Sequence, residues 1–193
     1  MSLFDLLFIA VFLGTAGGVA TGLFAAVRGR RVQARRRLTV VAVGAAAYMT
    51  VVTMVSLAAP RRVVAIGADQ CADDWCLAVA TIDRPDSAAQ PAYRVAFKLS
   101  SRAGRVSQRE RFVVAYLLDS AGRRYDAAPA AGQPPFDTLL RPLESIVTTR
   151  TFAAPAAAAG LGVVVAREGD GGFPGCCIVG IGPFYKPPIV YVK

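Results

Sequence analysis

The 193-residue sequence contains no histidine, a single tryptophan, and only 13 acidic residues against 22 lysines and arginines. Without histidine there is no Ser-His or Cys-His nucleophile pair, no imidazole zinc ligand, and no side chain whose ordinary pKa lies near neutrality. Most familiar hydrolase chemistries are excluded with it. Charge is missing altogether from residues 6–27 and 38–60. An intramembrane proton or ion path normally needs ionisable groups, so their absence argues against transport. The length leaves room for one modest domain beside an anchor, and none for a polytopic bundle.

The two uncharged stretches each exceed the roughly 18–20 apolar residues that cross a hydrocarbon core as a helix. Residues 28–37 lie between them and hold Arg28, Arg30, Arg31, Arg35, Arg36 and Arg37. So short a connection makes the spans an antiparallel hairpin, because backbone groups in lipid must be satisfied within each segment. Positive charge in short loops stays cytoplasmic, which places this Arg loop inside, and both termini and the C-terminal domain outside. Arg61 and Arg62 follow the second span on the opposite side and are outnumbered. A cleaved signal peptide would carry a basic start, whereas this chain opens Met-Ser-Leu-Phe-Asp; a retained helix is the expectation. The Arg loop also suits anionic lipid headgroups. Gly14, Gly18 and Gly22 share one face of the first span and permit close helix approach. Ala42, Gly44, Ala45 and Ala46 are the expected partners within the hairpin, with homodimerisation through the same face as the competing reading.

Residues 1–62 carry a net charge of +7 and the remainder only +2. The basic balance is therefore a property of the anchor, and no nucleic-acid partner is expected for the folded domain. Beyond residue 62 the texture changes to short alternating stretches separated by Gly, Pro, Asp and Ser. Strands are expected at 63–66, 75–82, 93–100, 109–118, 123–125, 145–152, 162–167, 177–181 and 189–192. Period-two alternation is plainest where Tyr93, Val95, Phe97 and Leu99 share one face and Arg94 and Lys98 the other. Residues 119–122 read as a turn, with Gly122 supplying positive φ. Residues 153–160 read as a loop crossing between sheets. Many short strands with no amphipathic helix point to an all-β sandwich over 63–193.

The run from Phe112 to Tyr125, then residues 143–155 and Val163-Val-Val165, resembles the telokin-like bacterial extracytoplasmic domains of unknown function. The resemblance spans roughly residues 75–167. It implies an immunoglobulin-like sandwich in which a strand ending in Asp-x-x-Gly-x-x-Tyr precedes one leading into Phe-x-x-Pro. It implies a surface-exposed binding or structural module and carries over no catalytic residue. Leu143-Glu144 stands where that family often has Pro-Gly, and the tail beyond Gly169 has no counterpart.

The four cysteines are Cys71, Cys76 and the adjacent Cys176 and Cys177. Outside the cytoplasm disulfides persist. The expected pairing is two bridges joining the Cys71/Cys76 segment to the Cys176/Cys177 segment, since joining neighbours would strain the ring; a local Cys71–Cys76 bridge is the alternative. A thiolate metal or redox site is disfavoured by the spacing and the missing histidine. Asp69, Asp73 and Asp74, and Glu168 with Asp170, could gather a hard cation, but solvated turns are the default. Residues 182–188 concentrate aromatics and proline, read as packing or a ligand-facing surface. The expectation is a non-enzymatic, membrane-anchored binding or assembly module with no cofactor. Its partners are the lipid bilayer and a further membrane protein or a second copy. An accessory subunit of a larger complex and a Cys-based metal or redox domain are the alternatives.

Overall fold

The computed structural model describes residues 3–84, 92–168, 177–178 and 184–192. The chain divides into two compact units, Met1–Pro60 with Asp170–Lys186, and Arg61–Gly169 with Pro187–Lys193.

The first unit is a helical pair, α1 (Leu3–Val27) and α2 (Arg31–Ala58). Both are long and apolar enough to cross a membrane, and almost none of their apolar surface is buried. At 1.5 Å per residue they extend about 37 and 42 Å. The ten-residue loop expected at 28–37 is not there. Gly29 adopts φ 74° and ends α1: its amide reaches Ala26 O at 3.0 Å, and the Arg30 amide reaches Ala25 O at 2.9 Å. That is a Schellman cap, so α1 stops and α2 starts within three residues. Arg31, Arg35, Arg36 and Arg37 then form the first turns of α2, because nothing between Arg31 and Leu38 breaks a helix. At the far end Ala59 is extended, with ψ 122°, immediately before Pro60, as a residue preceding proline should be.

The second unit is a β-sandwich of two four-stranded antiparallel sheets. Its strands are β1 (Gln70–Ala72), β2 (Trp75–Asp83), β3 (Ala92–Ser101), β4 (Val113–Leu118), β5 (Arg124–Asp126), β6 (Ser145–Ala153), β7 (Gly162–Arg167) and β8 (Ile189–Tyr191). One sheet has the order β1-β2-β3-β6 and the other β5-β4-β7-β8. The alternation in β3 works as written: Tyr93, Val95, Phe97 and Leu99 are buried while Arg94 and Lys98 are exposed. They meet Leu77 and Val79 of β2, Leu117 of β4, Phe152 of β6, and Val163 and Val190 of the second sheet in one core. Segment 133–136 closes the side of the sandwich beside β6. Phe136 packs edge-on against Phe97 with ring centres 5.2 Å apart, and Thr148 Oγ1 donates to Pro134 O at 2.6 Å.

Three strand expectations need correcting. Residues 63–66 make only an isolated bridge from Val63 to Ile189. β4 begins at Val113 rather than 109, because Phe112 has φ 64° and breaks the extended run. Of the strand expected at 177–181 only Cys177 and Ile178 are described, and neither is in a strand; the rest lies outside the described residues.

Candidate functional site

In the helical unit Gly18 and Gly22 lie against α2. A Cβ at Gly18 would run into Val41, and one at Gly22 would come within 2.8 Å of Leu38 Cδ2, whereas one at Gly14 would meet nothing. Gly18 and Gly22 therefore make the close approach, and their partners are Val41 and Leu38 rather than the expected alanines. All six arginines of the connecting region are exposed. Arg28 sits over the Phe24 ring at 4.1 Å. Arg36 and Arg37 flank an open groove of about 410 Å³ between the helices, floored by Gly18, Val40 and Val41. Further along α2, Tyr48 donates to the carbonyl of Cys177 at 2.7 Å, and Lys186 Nζ reaches the Leu57 and Ala59 carbonyls at 3.2 and 3.3 Å.

The expected end-to-end bridges are not formed. Cys71 and Cys76 stand opposite each other in the β1–β2 hairpin, with Cα atoms 4.0 Å apart, and bond to one another. The hairpin register makes them direct cross-strand neighbours. Cys176 lies outside the described residues. Asp69 offers an oxygen near both sulfurs, but those sulfurs are consumed in the disulfide, and Asp69 is engaged by Arg102 at 2.7 Å. Asp73 occupies the hairpin turn at φ 52°. The three acids thus serve a turn and an ion pair. The Glu168 amide donates to Phe112 O at 2.6 Å, and Asp170 lies outside the described residues. Of residues 182–188, those described are 184–188; Phe184 and Tyr185 are exposed.

Among the described residues the densest polar constellation lies at the β4–β5 turn. The Asp119 side chain is 1 % exposed. It accepts from the Ala121 and Arg123 amides at 2.9 and 2.8 Å, from Arg123 Nε at 2.7 Å and from the Tyr125 hydroxyl at 3.0 Å. Burial opposes ionisation, but the Arg123 amide and guanidinium and the Tyr125 hydroxyl together hold the carboxyl down at about 2. Such an acceptor is saturated and stays ionised, so it cannot shuttle protons near neutrality. Asp-x-x-Gly-x-x-Tyr is here a turn-locking device: Asp119 gathers the donors, Gly122 turns the chain at φ 78°, and Tyr125 returns to the carboxylate.

Two features escaped sequence reasoning. Arg150 faces the sandwich interior, donating to Thr148 Oγ1, Thr149 O and Pro134 O at 2.6, 2.9 and 2.8 Å; burial lowers its pKa. Beside it, a polar groove of about 400 Å³ is lined by Arg94, Gln133, Thr149 and Thr151 and by residues 128–131. Its side chains can donate to an anionic or hydroxylated group. Among the residues lining it there is no nucleophile–base pair. Arg94 was legible as an exposed β3 residue, but its neighbours come from a loop and a strand far along the chain.

No family model matches this chain, and no curated protein matches it. Solved structures similar to part of it include the secreted protein MPT63 of Mycobacterium tuberculosis, at 10% identity and TM-score 0.44 over 57% of this chain and 93% of that one. An uncharacterized β-sandwich protein of Clostridium difficile aligns at 8% identity and TM-score 0.44, over 70% of this chain and 97% of its own. The yjhA protein of Bacillus subtilis aligns at 11% identity and TM-score 0.45, over 67% of this chain and 98% of its own.

Proposed function

We propose that the chain is a membrane-anchored binding or assembly module without catalytic activity, whose immunoglobulin-like sandwich lies outside the cytoplasm. The observation that carries the reading is the pair of apolar helices with bare surfaces, joined at one end by a turn crowded with arginine. A water-soluble protein does not leave so large a contiguous apolar surface uncovered. Lipid covers it at no cost. Arginine in a short connection resists translocation, so the turn stays in the cytoplasm and Arg61 emerges on the other side. The Cys71–Cys76 bridge suits that compartment. The module binds the bilayer through its helices and a further membrane protein or a second copy through its exposed surfaces; it needs no cofactor and contacts no nucleic acid. A reporter enzyme active only in the periplasm, fused after Lys193, tests the orientation together with a cytosol-active one. We expect activity from the first alone. Activity from the cytosolic reporter alone would overturn the reading.

A further inference from the structure

Loops 102–112 and 137–144 meet at one end of the sandwich. Gln108 and Leu140 exchange both backbone hydrogen bonds, at 2.8 and 2.9 Å, and the Leu143 amide donates to Ala103 O at 3.1 Å. Out of this end project Val106, Phe112, Leu139 and Leu143, which are 64%, 69%, 59% and 74% exposed. Phe112 and Leu143 hold φ of 64° and 59°. A bulky side chain seldom adopts that conformation, and such outliers persist where the surrounding structure enforces them, often for function. Neither residue is repaid by core burial.

The same end receives the chain. Ile189 donates to Arg62 O and accepts from the Val64 amide at 3.0 and 2.9 Å, in a parallel bridge with Val63. Ile189 pairs with Val164 on β7, whose last residue, Arg167, pairs with Val113 beside Phe112. The entering segment runs with β8 and away from that edge, so it arrives from the Phe112 end. Only Ala59, Pro60 and Arg61 separate the last residue of α2 from Arg62. Three extended residues reach about 10 Å.

We propose that this end of the sandwich rests on the lipid surface, with Phe112 and Leu143 seated at the headgroup–acyl boundary and guanidinium groups on lipid phosphates. The proposal rests on the anchored reading above and goes beyond it by naming a docking face and its occupant. The tether decides which surface lies within reach. The chemistry matches: apolar tips for the acyl boundary, and exposed Arg105 and Arg141 whose guanidinium groups lie outside the ion pairs formed among the described residues.

The test uses the full chain in nanodiscs, with Trp75 buried as the internal reference. Phe112→Trp, Leu143→Trp, Ala121→Trp at the opposite end, and Phe12→Trp in α1 are compared in plain and brominated phosphatidylcholine. For insertion to the depth of an interfacial side chain we expect about a twofold loss of emission at 112 and 143 and no change at 121. Quenching at 12 with none at 112 or 143 overturns the docking face and leaves the anchor standing. No quenching at 12 overturns both. Shielding at 112 and 143 that is absent at one copy per disc and independent of bromine assigns the face to a second copy and also overturns the proposal. Each tip is tested separately, so misfolding of one variant leaves the other to decide.

Discussion

Removing the Cys71–Cys76 bridge should weaken the sandwich only modestly. The cysteines are five residues apart, and the chain-entropy model assigns a loop that small about 2 kcal/mol, against about 4.7 kcal/mol for one of about 100 residues. Pairing across the domain would therefore be worth more than twice as much per bridge. The experiment is equilibrium urea unfolding of Cys71→Ala/Cys76→Ala in detergent, followed by Trp75, the sole tryptophan, which neighbours Cys76. Cys76 is fully buried, so alanine is used there to avoid adding a hydroxyl to the interior. A loss near 2 kcal/mol is expected. A tryptic map without reductant gives an independent reading. Cutting after Arg62 and Arg94, with Arg84 protected by Pro85, leaves both cysteines in one peptide and Cys176 and Cys177 in another. The two peptides should separate without reduction. A disulfide-linked pair of peptides, or a loss of 4–5 kcal/mol, would refute the hairpin pairing.

Two further perturbations probe the turn and the helices. Asp119 has its folded-state pKa lowered to about 2 from 3.8, so its ionised form contributes stability that is present above pH 4 and lost as the pH falls toward 2; Asp119→Asn should flatten the acid limb of stability in that window, and an unchanged limb would place the acid sensitivity elsewhere, Asp137 beside Arg109 being the next candidate. Gly18→Leu should drive the helices apart, at about 1–3 kcal/mol as overpacking, while Gly14→Leu should be tolerated because its side chain enters open space; energy transfer between labels at the two helix ends distinguishes them, and equal effects would remove the assigned packing face.

How much of this could be read from the chain follows the strength of the local pattern. The spans were legible because an uncharged run of that length has few other uses. The connecting turn is harder to place, because a run of arginines between two spans reads as a loop although arginine forms helices well; Gly29, the C-terminal cap signal, carries the boundary. β3 was legible because alternation persists through Leu99, and β1 was not, since three residues cannot show a period. The cysteine pairing failed for a related reason. Setting aside the Cys176–Cys177 pair for ring strain leaves register out of account, and only the β1–β2 hairpin sets Cys71 opposite Cys76.

The motif that drew attention in the sequence and the groove that could bind something turn out to be different places, and the difference is physical. Asp119, Gly122 and Tyr125 are spaced within seven residues because a turn is a local object, so the chain must write it locally. A binding surface has no such obligation. Arg94, Gln133, Thr149 and Thr151 converge only after β3 and β6 pair and segment 128–133 runs beside them, with Arg94 opposite Thr151 in the register. The Thr149 amide donates to Gln133 Oε1 at 3.1 Å, tying that segment to the strand. Arg150 reinforces the tie from the interior side, stacked 4.6 Å over Phe136. Its guanidinium has no carboxylate partner among the described residues, and it is satisfied by backbone carbonyls and a threonine hydroxyl. Two of these acceptors lie on β6, and the third, the Pro134 carbonyl, is in place only while segment 133–136 is, so the charge ties the wall of the groove to the strand. Substitution of Arg150 should therefore disturb the groove's shape before it disturbs the sheets.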